Sequence, residues 1–237
     1  MAVYVYSVVA ITHPQRLDGL GGVGDPPAPL RTVRGRKLSA VVSDAPENLR
    51  PKRRDLGAHQ AVQERLMSDG TVLPLQFGFT TTDDDAVREV LEERTDEFTA
   101  RLEALEGCAE YHLKAAQDED ALLREILRES DEARGLNEEI RRGSNSPQLP
   151  LALGEVIAQE VQARHDRLAA GVVEVLREFA RDESASPAAG DDFVNVSFLV
   201  DRDREAKFLA AEQGLAAELG DDFDLRLRGP LPPYSFI

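Results

Sequence analysis

Four histidines and one cysteine are the side chains of this sequence best suited to metal binding or nucleophilic chemistry: His13, His59, Cys108, His112 and His165. Zinc sites usually bring such ligands together at short, recurring spacings. None of the five stands at HxxxH or CxxC spacing, and they fall in different predicted elements. Glu110 and His112 would share a strand face, but two ligands do not make a site. The sequence therefore predicts no metal site.

The candidates for a nucleophile or a base are Cys108 and His59. Cys108 follows Gly107 with no activating motif beside it, which favours a partly buried, inert thiol. His59 lies on the apolar stripe of its predicted helix, which favours a buried, hydrogen-bonded imidazole. The sequence also contains no GxSxG elbow. We therefore expect no catalysis, with a cytosolic enzyme of unrecognised type that uses His59 or Cys108 as an alternative.

A glycine motif, GLGGVG at residues 19–24, matches the GxGxxG pattern of dinucleotide sites. That pattern works because a helix begins at its last glycine and directs backbone N–H groups at the pyrophosphate. Here the sequence continues DPPAP over residues 25–29, and prolines at these positions prevent such a helix. We interpret the segment as a glycine-rich loop and expect no nucleotide cofactor.

Acidic residues are abundant but show no cation-binding pattern. The runs at residues 83–85 and 118–120 each open a predicted helix, where carboxylates cap the chain and complement the helix dipole. Neither run has the spacing or the glycine of an EF-hand loop. These acids are expected to be structural.

The net charge of −16 is unevenly distributed along the 237 residues. Residues 1–57 hold nine Lys/Arg against five Asp/Glu, a net of +4, which leaves −20 for the other 180 residues. The basic residues cluster at 31–37 and 50–54, but no aromatic residues are interleaved with them as in nucleic-acid interfaces. We expect a solvated or ion-paired basic face and no nucleic-acid partner.

No apolar run approaches the roughly 20 residues that a membrane helix needs. The first residues lack a basic leader, and a single cysteine is consistent with a reducing compartment. These features predict a cytoplasmic protein with no membrane partner.

The elements that would position these side chains alternate between strands and helices. In the first half, β-branched and aromatic runs predict extended segments at residues 3–11, 37–45 and 72–79. Apolar residues at helical spacing predict helices at residues 53–69 and 83–105. In the second half we predict a strand at 110–115, a helix from 118, a linker at 144–150, a long helix, a flexible loop at 182–192, and a final β-α-β unit.

This order predicts an α+β fold with two domains. Residues 1–106 would form an N-terminal α+β domain, and residues 107–228 a modified ferredoxin-like domain with inserted helices. Residues 229–237, GPLPPYSFI, would form a proline-rich C-terminal tail.

The tail is apolar, unlike most chain ends. PLPP could be a PxxP ligand and SFI a PDZ ligand, so an adaptor recognised through its tail is a second alternative. Prolines fix φ in advance and lower the entropy that ordering removes. We therefore expect the tail to dock on the protein itself.

Four segments together resemble the GvpF/GvpL family of gas vesicle proteins: YVYSVV at residues 4–9, His59, VLPLQFG at 72–78, and the closing GPLPPYSFI. The resemblance covers essentially the full chain, and the tail is its most specific part. It implies two α+β domains, the second modified ferredoxin-like, with a tail that contacts both. It also implies an accessory or minor structural protein for gas vesicle formation, without a cofactor.

The same resemblance implies partners and a location. The main gas vesicle shell protein would be the principal partner, with other gas vesicle accessory proteins as further candidates, in the cytoplasm and in association with gas vesicles. We expect the residues that contact the shell protein, or that dock the tail, to come from the segment at 72–79 and from the tail: Pro74, Phe77, Phe79, Leu231, Tyr234, Phe236 and Ile237.

Overall fold

A computed structural model describes residues 2–143 and 146–237 of the chain. These residues form two compact units. The first unit runs up to Tyr111 and includes Gly229–Ile237, and the second unit is His112–Arg228. Residues 144 and 145 of the predicted linker lie outside the described residues.

The first sheet has five strands and centres on the first of them. The strands are β1 (Val3–Ala10), β2 (Arg31–Arg34), β3 (Leu38–Asp44), β4 (Leu73–Pro74) and β5 (Thr80–Thr81). Their order is β2-β3-β1-β4, and β5 also pairs with β1. The β1–β3 pair is antiparallel, and its register shifts between Val5 and Ser7. All residues of β1 from Val3 to Val9 are buried, because helices pack against this strand in addition to its neighbouring strands.

Three helices pack on this sheet: α1 (Arg53–Asp69), α2 (Asp84–Glu93) and α3 (Thr95–Ala104). Val62 and Leu66 of α1 belong to a core cluster with Tyr4 and Tyr6 of β1. The prediction of one helix over 83–105 is wrong, because Arg94 leaves helical geometry at φ −104° and ψ 22°. Within the predicted extended stretch 72–79, only Leu73–Pro74 pairs as a strand.

The second unit is built around a four-stranded sheet of order β7-β8-β6-β9. Its elements in chain order are β6 (Cys108–Gln117), α4 (Glu119–Glu129), α5 (Asp131–Arg141), α6 (Gln148–Arg177), β7 (Asp182–Ala185), β8 (Asp192–Asp201), α7 (Glu205–Leu219) and β9 (Phe223–Leu231). A 3-10 turn, Tyr234–Phe236, follows in the tail. In the core of the second unit, Phe198 and Phe208 are fully buried, with ring centroids 5.5 Å apart.

Several local predictions in the second unit need correction. Residues 182–192 are not all loop, since β7 pairs antiparallel with β8. The helix predicted from residue 118 ends at Glu129, and the Ser130 side chain caps α5 by accepting the Ala133 N–H. The described end of the predicted linker is helical from Gln148.

The glycine-rich loop donates backbone hydrogen bonds to buried side chains of the first unit. The Val23 N–H donates to the Tyr6 hydroxyl at 2.8 Å, and the Gly24 N–H donates to the Asp55 carboxylate at 2.9 Å. A Cβ on Gly22 would lie 2.5 Å from the Tyr6 hydroxyl oxygen. The backbone donors that a phosphate would need are therefore directed at protein side chains.

We predict that Gly22→Ala destabilises the protein by about 1–3 kcal/mol, the usual cost of overpacking. The added methyl would also lie 3.0 Å from the Cβ of Ser43, and both neighbours are buried. Urea unfolding measures the change.

Gly57→Ala is the matched control, because a Cβ there meets nothing within 4 Å and the site is inside α1. It should stabilise the helix by about 0.5–1 kcal/mol. Equal stability of the two variants would contradict the assigned packing of the loop.

Candidate functional site

A polar cluster inside the first unit is the most elaborate arrangement of side chains near the predicted contact residues. Tyr4 and Tyr6 are two apart on β1 and therefore share a face of the strand. His59 and Gln63 are four apart on α1 and share a face of the helix. All four are buried, with exposed fractions of 0–5%. The two-residue spacing on β1 and the four-residue spacing on α1 thus bring two phenols against an imidazole and a carboxamide.

His59 is the centre of this cluster because both of its ring nitrogens are hydrogen-bonded to hydroxyls. Its Nδ1 lies 2.8 Å from the Tyr4 hydroxyl, and its Nε2 lies 3.0 Å from the hydroxyl of Tyr234 in the tail. The Gly78 N–H donates to the same Tyr4 hydroxyl at 3.2 Å. A neutral imidazole has one donor and one acceptor nitrogen, so it can link two hydroxyls without a charge.

Aromatic rings surround the imidazole on several sides. The Tyr6 ring stacks on it at 5.7 Å, and the Phe77 ring meets it edge-on at 5.9 Å. These neighbours exclude water from His59. Burial accordingly lowers the pKa of His59 from 6.5 to about 4. Burial also raises the pKa of Tyr4, and raises the pKa of Tyr234 to about 12.

These pKa directions bear on chemistry. A general acid or base works best when its pKa lies near the operating pH. An imidazole with a pKa near 4 and phenols with raised pKa values all stay neutral at pH 7. The cluster is thus suited to holding a segment by hydrogen bonds, rather than to transferring protons.

Gln63 fixes the backbone of β1 beside the cluster. Its amide donates to the Tyr6 carbonyl oxygen, and its carbonyl oxygen accepts a hydrogen bond from the Ser7 hydroxyl. The Leu75 N–H donates to the same Tyr6 carbonyl at 2.8 Å. The residues after β4 are therefore held against β1, which places Phe77 beside His59.

A second anchor for the tail is the buried carboxylate of Glu110, which is 4% exposed. It accepts the Ser235 N–H at 2.9 Å and the Ser235 hydroxyl at 2.7 Å. The two oxygens of one side chain thus bind both the backbone and the side chain of Ser235. Glu110 and His59 thus hold two successive residues of the tail.

Close packing marks the beginning of the tail. A Cβ added to Gly229 would lie 2.4–2.9 Å from three atoms of the Tyr111 ring, which is itself 2% exposed. Pro232 and Pro233 are buried as well. The tail is therefore packed at Gly229 and held at residues 232–235.

The predicted contact residues divide into two groups. Pro74 is buried in β4, and Phe77 and Tyr234 meet at His59. Phe79 and Ile237 are instead 52% and 37% exposed, while Leu231 and Phe236 are half-buried.

Sequence reasoning correctly placed His59 as a buried, hydrogen-bonded histidine but did not connect it to the tail. It also weighed Glu110 only as a metal ligand. A signal was present, because a lone acid in the buried strand EYHL requires a donor from elsewhere in the chain.

Other candidate groups are also placed. Cys108 is 6% exposed, and its thiol faces the Glu106 carbonyl at 3.7 Å. In the described part of the chain, no three His, Cys, Asp or Glu side chains are grouped closely enough to hold a metal ion. Within residues 2–143 and 146–237, none of the helices has the length and apolar character needed to cross a membrane.

We predict that His59 makes stability depend on pH. The folded pKa lies near 4 and the ordinary value is 6.5, so between these values the unfolded chain binds a proton that the folded chain excludes. The free energy of unfolding should therefore fall as the pH drops from 6.5 to 4, by up to on the order of 3 kcal/mol.

His59→Gln removes this contribution, so its stability should fall less steeply over the same window in urea unfolding. His13 and His165, whose pKa values burial also lowers, are present in both proteins and cancel in the comparison. Parallel pH profiles for the two proteins would contradict a neutral, buried His59.

We also predict that Gly229→Ala loosens the tail, because the new methyl group would overlap the buried Tyr111 ring. A strain of about 1.4 kcal/mol corresponds to a tenfold change in the docking equilibrium. Release of Ile237 by carboxypeptidase should accelerate by about this factor or more. Gly214→Ala, at a helical position with nothing within 4 Å of a Cβ, is the control. Unchanged release would show that the tail does not dock through Gly229.

Comparison with known proteins agrees with this structure. Residues 2–237 match the family described as gas vesicle synthesis protein GvpL/GvpF. Gas vesicle protein F of Streptomyces sp. (strain CB03234) is 44% identical over 238 residues, covering 100% of both chains. Gas vesicle protein L of the same strain is 30% identical, covering 98% of this chain and 91% of the relative.

Two crystal structures share the fold. The gas vesicle protein GvpF from Anabaena sp. PCC7120 superposes with a TM-score of 0.86 at 20% identity, over 99% of this chain and 97% of that one. GvpF from Microcystis aeruginosa gives a TM-score of 0.81 at 22% identity, over 99% and 98%. These likenesses confirm a mixed α+β fold with two antiparallel sheets.

The family match spans nearly every residue, and a full-length relative is 44% identical. The chain therefore belongs to the GvpL/GvpF family of gas vesicle synthesis proteins.

Proposed function

We propose that this protein is a non-enzymatic accessory or minor structural protein of gas vesicles that binds the hydrophobic main shell protein during vesicle formation. Family membership supports a role in the gas vesicle system. The observation that carries the non-enzymatic part is the use of His59, since both of its ring nitrogens bond to phenols of the same chain. The polar cluster thus works as a clamp for the tail.

The two alternatives are less well supported. A PxxP or PDZ-type ligand must be accessible, but Pro232 and Pro233 are buried and Glu110 binds Ser235. An enzyme would need an activated nucleophile or a base with a pKa near neutrality. Cys108 is buried, and the pKa of His59 is lowered to about 4.

The contact surface for the shell protein would include the exposed apolar residues of the first unit. Phe79 follows β4 and is 52% exposed, and Ile237 ends the docked tail at 37% exposed. Large apolar side chains that stay exposed on a folded surface are available to an apolar partner. A docked tail would present Ile237 in a fixed position, which lowers the entropy lost on binding.

The arrangement of the chain into domains is part of the proposal. The two units would correspond to an N-terminal α+β domain and a modified ferredoxin-like domain. In support, helices follow β6 and β8, and the sheet order is β7-β8-β6-β9, as in a split βαβ arrangement. The three consecutive helices α4, α5 and α6 would be the insertion.

Charge would keep such a complex in solution. Residues 58–237 carry −20, which opposes aggregation of a protein that covers an apolar partner. We place the protein in the cytoplasm, associated with gas vesicles, with no nucleic-acid or membrane partner. Other gas vesicle accessory proteins are further candidate partners.

We predict that a protein shortened after Arg228 co-purifies less main shell protein than the full chain, because the docked tail and its Ile237 are lost. Co-purification from cells that express both proteins measures this. Undiminished binding would remove the tail from the contact surface.

Point variants separate lost contact from lost folding. The double variant Phe79→Asp with Ile237→Asp keeps the clamp and should weaken binding by about tenfold, or about 1.4 kcal/mol. Leu151→Asp is the matched control, because Leu151 is 66% exposed on α6 of the second unit. Equal binding by both variants would contradict the proposed surface.

A further inference from the structure

The second unit contains a groove of about 710 Å³ that the proposed function does not use. Its floor is apolar, with side chains from α4, α6 and the start of β9, among them Leu122, Leu123, Ile157, Val161 and Phe223. An apolar centre with a polar rim is the usual arrangement of a protein–protein contact surface.

The rim of this groove is strongly acidic. Glu119, Asp191, Asp221 and Asp222 line it, and all four are exposed. Two further rim residues, Asp192 and Asp224, pair with Arg226. By contrast, no ion pair is formed within residues 2–143 and 146–237 by Glu119, Asp191, Asp221 or Asp222. The rim therefore has uncompensated negative charge directed at solvent.

The first unit carries a complementary surface in the segment RPKRRDL, residues 50–56, at the start of α1. Arg50, Lys52 and Arg53 are exposed, and in the described part of the chain they form no ion pair. Arg54 pairs with Asp25 at 2.6 Å. The segment thus has three cations without a carboxylate partner.

The position of these cations is unfavourable for the isolated chain. Lys52 is the N-cap of α1 and makes no side-chain capping bond, and Arg53 is the first helical residue. Cations at a helix N-terminus oppose the helix dipole, where an acid or a hydroxyl would stabilise it. Carboxylates of a partner placed beside these cations would offset their unfavourable interaction with the helix dipole.

An apolar side chain accompanies the cations. Leu56 is 41% exposed and lies three residues after Arg53, on the same side of α1. The segment therefore offers one apolar side chain beside several cations, as an apolar floor with an acidic rim requires.

We propose that the acidic groove of one copy binds the basic segment, residues 50–56, of a second copy. Leu56 would enter the apolar floor, and Arg50, Lys52 and Arg53 would meet the carboxylates of the rim. Single exposed ion pairs contribute little, so the contact depends on several charges acting together. Because each copy carries both surfaces, association is either reciprocal within a dimer or extends from copy to copy.

Salt is the first test. Light scattering coupled to gel filtration measures the mass of the purified full chain at about 0.01 M and about 1 M salt, where the Debye length falls from about 30 Å to 3 Å. We expect a mass above that of one chain at low salt and dissociation at high salt. A monomer at low salt, or an assembly that salt does not change, would overturn the proposal.

Charge reversal is the second test. Arg50→Glu, Lys52→Glu and Arg53→Glu together should abolish self-association, and so should Asp221→Lys with Asp222→Lys. Mixing the two reversed proteins should restore a complex, because the acidic segment of one now meets the basic groove of the other. Circular dichroism verifies that each variant is folded.

Glu132→Lys with Glu139→Lys is the matched control, because it makes the same change in net charge at exposed sites of α5 outside the groove. It should associate as the unaltered protein does. Failure of the mixed variants to form a complex, or equal effects of control and groove variants, would overturn the proposal. These tests use the purified protein alone, so their failure leaves binding to the shell protein untouched.

Discussion

The first unit depends on one constraint, which is that a buried imidazole needs a partner at each ring nitrogen. His59 meets this requirement with Tyr4 of β1 on one side and Tyr234 of the tail on the other. The central strand, the first helix and the last residues of the chain are thereby joined through one side chain. Glu110 adds a second attachment one residue further along the tail. A terminal segment that would otherwise fray is thereby attached to the first unit, with Pro232 and Pro233 buried.

Elements with strong periodicity could be predicted from the sequence, and short polar ones could not. Both faces of β1 are buried, and its sequence VYVYSVVA is accordingly almost entirely apolar. The apolar residues of α1 recur at helical spacing. By contrast, β7 has the sequence DESA, and only backbone pairing with β8 makes it a strand. Likewise, β2 has the sequence RTVR, and its backbone pairing with β3 makes it a strand. The break at Ser130 has a local signal, because serine is a preferred N-cap and two acidic residues follow it in the first turn of α5. Arg94 gives no such signal, because arginine is a good helix former.

For the candidate site, local chemistry was predictable and long-range pairing was not. The prolines of the tail indicated a stiff segment able to dock, and the apolar stripe around His59 indicated a buried imidazole. Their meeting joins residues 175 positions apart, and Ser235 meets Glu110 across 125 positions. No periodicity encodes such contacts.

The central claim is that His59 and Glu110 hold the tail against the first unit. Amide hydrogen exchange of Ser235, resolved by NMR at pH 7, tests it most directly, because this N–H donates to the buried Glu110 carboxylate. The account predicts protection of Ser235 comparable to that of the amides within α1. Exchange at the rate of an unstructured peptide would contradict it.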